Sequence, residues 1–207
     1  MPWTIIIWMG CAGTAPVSFP PGLAPLDQEN EARWPADAAQ AIDTEAGEAD
    51  DFTWAHARGY VHAPIADVYT CLQDDRINVD RREVARWSRV DDVEDGYEHS
   101  YRLDIEVENI INLSFSDTWR HGSTRDEETD EILLTISASQ LTEGNPYMRA
   151  IRGSIVAEVH APGVTSLDIV QQQDVTLPDL ERMQRALTDM HAEVVACVNG
   201  QPLPSYD

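Results

Sequence analysis

Two residues with acid–base chemistry, His99 and Asp117, sit in strand-like stretches where alternation places each on the apolar face. A buried carboxylate is costly unless something compensates it, so Asp117 calls for a partner, with His99, His121 or a tyrosine as candidates. A His–Asp pair in an apolar pocket can act as a general base for enolisation. The alternatives are a hydrogen-bonded structural pair or a strand end reaching water. Gln171 and Gln173 fall in a run without apolar alternation, so their phase stays open. His56, Arg58, Tyr60 and His62 share one face of an earlier strand. Histidines four residues apart on a strand are separated by about 13 Å, too far for one metal ion, and these four read as surface or rim. There is no GxSxG, GxGxxG, P-loop or zinc-like Cys/His spacing, and Gly10–Gly13 has no strand before it. No cofactor or metal is expected.

The 207 residues carry 37 acids against 14 cations, every one an Arg, for a formal charge of −23. Phosphate neutralisation needs clustered cations, so nucleic acid is not an expected partner. A hydrophobic content of 43% excludes a wholly disordered chain. No apolar run reaches the roughly 18–20 residues that span a bilayer.

Several elements must position these residues. Thr53–His62 reads as a strand, and Ala63-Pro64 opens a helix in which Ile65, Val68, Tyr69 and Leu72 recur at helical spacing. A second short helix is expected between Arg76 and Arg86. Strands follow at Val84–Val93, Tyr97–Glu108, Asn112–His121, Glu131–Ser139, Ala150–His160 and Thr165–Thr176, joined by short turn-forming connectors. Along Tyr97–Val107 the alternation is nearly perfect, which describes a sheet with one wet and one covered face. The cover is the last element. Thr176-x-x-Asp179 reads as a capping box, and Leu180, Met183, Leu187, Met190, Val194 and Val198 form an apolar stripe that stops at Asn199-Gly200.

The first fifty residues differ in character. Trp3 to Met9 is a short apolar stretch leading into Gly10-Cys11-Ala12-Gly13, and this resembles the end of a bacterial lipoprotein signal with Cys11 as the lipidated residue. Trp8 and Met9 depart from the family's preference for Leu and a small residue there, and an unmodified apolar N-terminus is the alternative. Residues 12–51 hold five prolines by Pro35, and from Asp27 to Asp51 nine acids against one Arg, so they read as a disordered tether. Membrane attachment through Cys11 alone, facing the periplasm, is the expected localisation; a cytoplasmic protein is the alternative.

From residue 52 to about 200, the element order resembles the helix-grip arrangement of the START-like, or SRPBCC, superfamily, ahead of a short tail at 201–207. The opening Tyr60-Val61-His62-Ala63-Pro64-Ile65-Ala66-Asp67-Val68-Tyr69 and the amphipathic last helix carry the resemblance. It implies an α+β fold with a curved antiparallel sheet of about seven strands wrapped on the C-terminal helix, and a cavity between them. Alternation then assigns the walls: Tyr97, Tyr101, Leu103 and Ile105; Leu113, Phe115 and Trp119; Ile132, Leu134 and Ile136; with Met183, Leu187, Met190 and Val194 as the lid. The implied function is binding or carriage of a hydrophobic small molecule, lipid or polyketide-like. A cyclase- or aromatase-like enzyme using His99 and Asp117 is one alternative. An acidic interaction module without a ligand is the other. In that superfamily the early helices support the C-terminal end of the long helix, which makes Cys71 and Cys197 a candidate disulfide, two free thiols being the alternative.

Overall fold

The computed structural model describes residues 18–27, 32–108 and 112–206. Eight strands form one sheet: β1 (Ile42–Glu48), β2 (Thr53–Val61), β3 (Arg86–Asp91), β4 (His99–Val107), β5 (Leu113–Arg125), β6 (Ile132–Glu143), β7 (Met148–Ala161) and β8 (Val164–Val175). Helices α1 (Ile65–Leu72) and α2 (Asp75–Asn78) follow β2, and α3 (Leu180–Val198) ends the fold. Every pairing is antiparallel, in the order β1-β2-β8-β7-β6-β5-β4-β3, and the curved sheet lies under α3.

The local causes are visible. In β4, Tyr101, Leu103, Ile105 and Val107 are buried on one face while Arg102, Asp104 and Glu106 lie toward solvent on the other. Helix α3 packs on β2 and β1, where the sheet offers Ala55, Ala57 and Ala46, side chains short enough for close approach. Gly59 serves the same edge, since a Cβ there would come within 2.6 Å of the Ala41 carbonyl oxygen. The N-cap of α3 is Asp179, which accepts from the Arg182 N–H at 3.0 Å, so the expected capping box starting at Thr176 lies three residues too early. At the other end Gly200 takes φ +63°, and the N–H groups of Gly200 and Gln201 close on the carbonyls of Cys197 and Ala196. A disulfide joins Cys71 of α1 to Cys197 of α3, with Cα atoms 6.0 Å apart.

The expected disordered tether over 12–51 fails for its described part. Ile42–Glu48 is an edge strand whose backbone pairs with β2 along its whole length. Its acids do not prevent this, because Ile42, Thr44 and Ala46 share one face and Asp43 on the other accepts from the Arg33 N–H at 2.7 Å. Further upstream, Leu23 is 4% exposed and Ala32 1%, both on the convex face of the sheet. The sheet therefore has eight strands rather than about seven, and the folded unit begins well before residue 52. Cys11 and the apolar stretch before it lie outside the described residues.

Two stability tests follow. Reduction of the disulfide, or Cys71→Ser, should lower the unfolding free energy by about 2–5 kcal/mol in urea titration, since the crosslink spans 126 residues. An unchanged midpoint would show that α1 and α3 need no covalent tie. Leu23→Ala should cost about 2–3 kcal/mol by the same measurement, a cost expected only if the arm is part of the core.

Candidate functional site

The inner face of the sheet, beneath α3, is read from the ladder register. Leu103 pairs with Asp117, Tyr101 with Trp119 and His99 with His121, so these six share a face. Across β5–β6, Trp119 faces Ser139 and His121 faces Ser137, and across β6–β7 those serines meet Gly153 and Ile155. From Thr135 to Ser139 the inner face of β6 is thus Thr135, Ser137 and Ser139, all buried and all polar, with Leu141 following opposite Asp117. Leu134 and Ile136, expected on the cavity wall, instead pack with Leu23 and Val156 on the convex face. The N-terminal arm supplies an apolar cover there, so apolar residues are buried on the side that alternation marks as wet. A bulge at Leu133 separates them from Ile132, which returns to the main core. Tyr97 is also displaced: it precedes β4 and joins Phe19 and Leu23 on the convex side. The remaining expected wall residues, Tyr101, Leu103, Ile105, Leu113, Phe115, Trp119, Met183, Leu187, Met190 and Val194, belong to the main core under α3.

A chamber of about 90 Å³ lies within this space. Ile155 and Ile169 of the sheet and Leu187 and Met190 of α3 give it apolar walls; Asn78, Asp117, Trp119, Ser139 and Gln171 add polar groups. Arg81 and Tyr206 of the tail after α3 line one side of it. The Arg81 guanidinium donates to Glu193 at 2.5 Å and to the Pro204 carbonyl at 2.9 Å, and the Tyr206 ring sits 4.1 Å from the Arg82 guanidinium carbon. Larger hollows lie elsewhere: an open surface trough of about 980 Å³ between α1 and the β5–β6 and β7–β8 hairpins, and one of about 260 Å³ under the N-terminal arm.

Asp117 is the unusual group. Its side chain is buried, its Oδ1 makes no hydrogen bond, and it has no ion pair among the described residues. Arg120, the nearest cation in sequence, points to the convex face and is held by Glu94 at 2.5 and 2.7 Å. Burial pushes the Asp117 carboxyl up to about 7, against the opposing pull of the Gln140 backbone N–H, the Arg120 charge and the Trp119 indole. That indole Nε1 lies close enough to favour the carboxylate, but it forms no hydrogen bond, and Asn78 Oδ1 is likewise buried without a partner. Asn78 is fixed by its amide nitrogen, which donates to the Leu72 carbonyl at 2.8 Å and the Tyr101 hydroxyl at 2.5 Å.

The His99–Asp117 pair does not form. Strand register puts His99 opposite His121, four residues along β5 from Asp117, and His99 Nε2 instead accepts from the Arg89 guanidinium at 2.6 Å. His121 bonds Ser137 through Nδ1 at 2.8 Å, leaves Nε2 unpartnered, and is driven down to about 3 by burial and by His99 and Arg89. It is therefore neutral and cannot compensate a carboxylate. His56 and Tyr60, expected at the surface or rim, are buried on the convex face. His56 Nε2–H donates to Asp168 at 2.8 Å, its Nδ1 accepts from the Ala32 N–H, and Arg58 reaches the same carboxylate at 2.9 Å. His62 is exposed. Asn78, Arg81, Ser139, Glu193 and Tyr206 were not singled out from sequence; Glu193 is one of three acids beside the α3 stripe, with Glu181 and Asp189, and nothing in the pattern marks it out.

No family model matches the chain, and no curated protein does. Among solved structures, human StAR-related lipid transfer protein 5 superposes with a TM-score of 0.54 over 78% of this chain and 84% of its own, at 15% identity. The chain has the START-like, helix-grip fold. A Thermus thermophilus protein (TM-score 0.49, 15% identity, 70% and 96% covered) and the Zhui aromatase/cyclase of Streptomyces sp. R1128 (0.45, 13%, 72% and 92%) align more loosely, and the assignment does not rest on them.

The Asp117 environment has a pH signature. A carboxyl raised in the fold contributes most below its unfolded value near 4, and that contribution is lost as pH rises through about 7. Asp117→Asn should therefore gain on the wild type between pH 4 and pH 8, by up to about 4 kcal/mol. Parallel stability–pH curves for the two proteins would show that the carboxyl is not desolvated.

Proposed function

We propose that this chain binds a compact hydrophobic molecule in the chamber between the sheet and α3. The observation that carries the proposal is the chamber itself, with apolar walls and lining residues whose buried polar atoms lack partners, the usual make-up of a small-molecule site. The shared fold adds support, since StAR-related lipid transfer protein 5 is named for carrying lipid. Size refines the reading. About 90 Å³ is well below the roughly 300–1,000 Å³ of drug-sized sites, so a lipid- or polyketide-sized guest requires α3 to lift. The disulfide pins the C-terminal end of α3, so such a lift would have to break contacts of its N-terminal half, among them Gln184 with the Thr44 carbonyl and Arg182 with Asp80.

A cyclase-like enzyme is the second reading. Without the His99 pairing it rests on Asp117 alone, whose pKa near neutrality suits proton transfer. Anchoring through Cys11 is part of the proposal: an acylated Cys11 in the mass spectrum of the protein from its native host supports it, and an intact Met1 rejects it.

Cyclohexanol, a compact neutral probe, tests the binding. It should shift the Trp119 indole N–H resonance at millimolar concentration, and Ala186→Trp, which fills the chamber, should abolish the shift. An unperturbed indole in the wild-type protein would refute the site.

A further inference from the structure

The chamber's charges point to one ligand class. Four acids line it, Asp80, Asp117, Asp189 and Glu193, against one arginine, Arg81. Three of the four are already answered: Asp80 lies 3.7 Å from Arg182, Asp189 accepts from Arg82 at 2.5 Å, and Glu193 accepts from Arg81 at 2.5 Å. Asp117 alone has no cation among the described residues, and it lines the chamber together with Trp119 and Asn78. The other groups around it are neutral or already engaged: Tyr101 and His121 from the sheet, and Tyr206 over the Arg81 and Arg82 guanidiniums.

We propose that the ligand is a small hydrophobic amine whose ammonium pairs with Asp117. Asp117 Oδ1 and Asn78 Oδ1 are both acceptors without a donor, and an ammonium supplies donors to both. The Trp119 ring at the same place offers its face or edge to the cation's alkyl body. The arginines at the chamber, Arg81 and Arg82, are already paired with Glu193 and Asp189, so carboxylates and phosphates are disfavoured. Trp119 Nε1 also lacks a partner, and an oxygen on the ligand would satisfy it. An amine bearing a hydroxyl or carbonyl group therefore fits better than a bare alkylamine. The inference deepens the binding site proposed above and depends on it.

Binding carries a proton balance. Below neutrality Asp117 is protonated in the free protein and the amine is an ammonium ion in solution. Pairing them releases the carboxyl proton to the buffer, and no other bond is made or broken.

The test uses three probes with one body: cyclohexylamine, cyclohexanol and cyclohexanecarboxylate, titrated into the full chain by calorimetry at pH 6. The amine should bind at least tenfold more tightly than the alcohol, the carboxylate should not bind, and amine binding should release close to one proton, read from buffers of different ionisation heat. In Asp117→Asn the amine-to-alcohol ratio should fall to about one. Equal binding of amine and alcohol by the wild type, or amine binding without proton release, overturns the inference while leaving the site in place. Failure of all three probes to bind removes the site itself. Proton release is measured on the wild type, so the test stands even if the variant does not fold.

Discussion

A carboxyl buried without a cation is the constraint around which the interior is organised. Asp117 sits on the inner face of β5 because strand register puts it there, opposite Leu103 and two residues from Trp119. Burial without a cation raises its carboxyl to about 7. Nothing in the packing of β4–β6 requires an acid at this position, and an isosteric apolar residue would be the cheaper choice for stability alone. The unpaired indole N–H and amide oxygen beside it extend the same pattern. Such concentrations of unmet polar capacity are rare in cores and collect where a guest is received.

The scaffold around this point is rigid on three sides. Helix α3 is pressed on the short side chains of β2 and β1, tied at its end to α1 by the disulfide, and followed by a tail held through Arg81 and Tyr206. The convex face is sealed by the N-terminal arm through Leu23 and through Ala32, whose N–H is captured by His56. Strands buried on both faces, β2 above all, are the consequence.

Much of the fold was legible in the sequence. Period-two alternation in β4 and the three-and-four stripe of α3 each report a single covered face, and both elements form where that pattern placed them. What stayed hidden depended on non-local pairing. β1 carries too few apolar residues to announce itself, and it is stabilised by backbone bonds to β2 that no local window contains. The arm's burial of Leu134 and Ile136 reversed the expected face of β6, because alternation reports that one face is covered but not which. At the site, Asp117 and Trp119 were visible as inward residues on β5. Asn78, Arg81 and Tyr206 come from a short helix, a connecting turn and the tail, where no periodicity exists to point inward.

The most direct measurement is a ¹³C titration of the Asp117 carboxyl carbon in the folded protein, free and saturated with cyclohexanol. A midpoint near 7 that rises further when the neutral guest displaces solvent is the predicted result. A midpoint close to 4, unmoved by the guest, would mean that water reaches this carboxyl freely and that no closed chamber exists beneath α3.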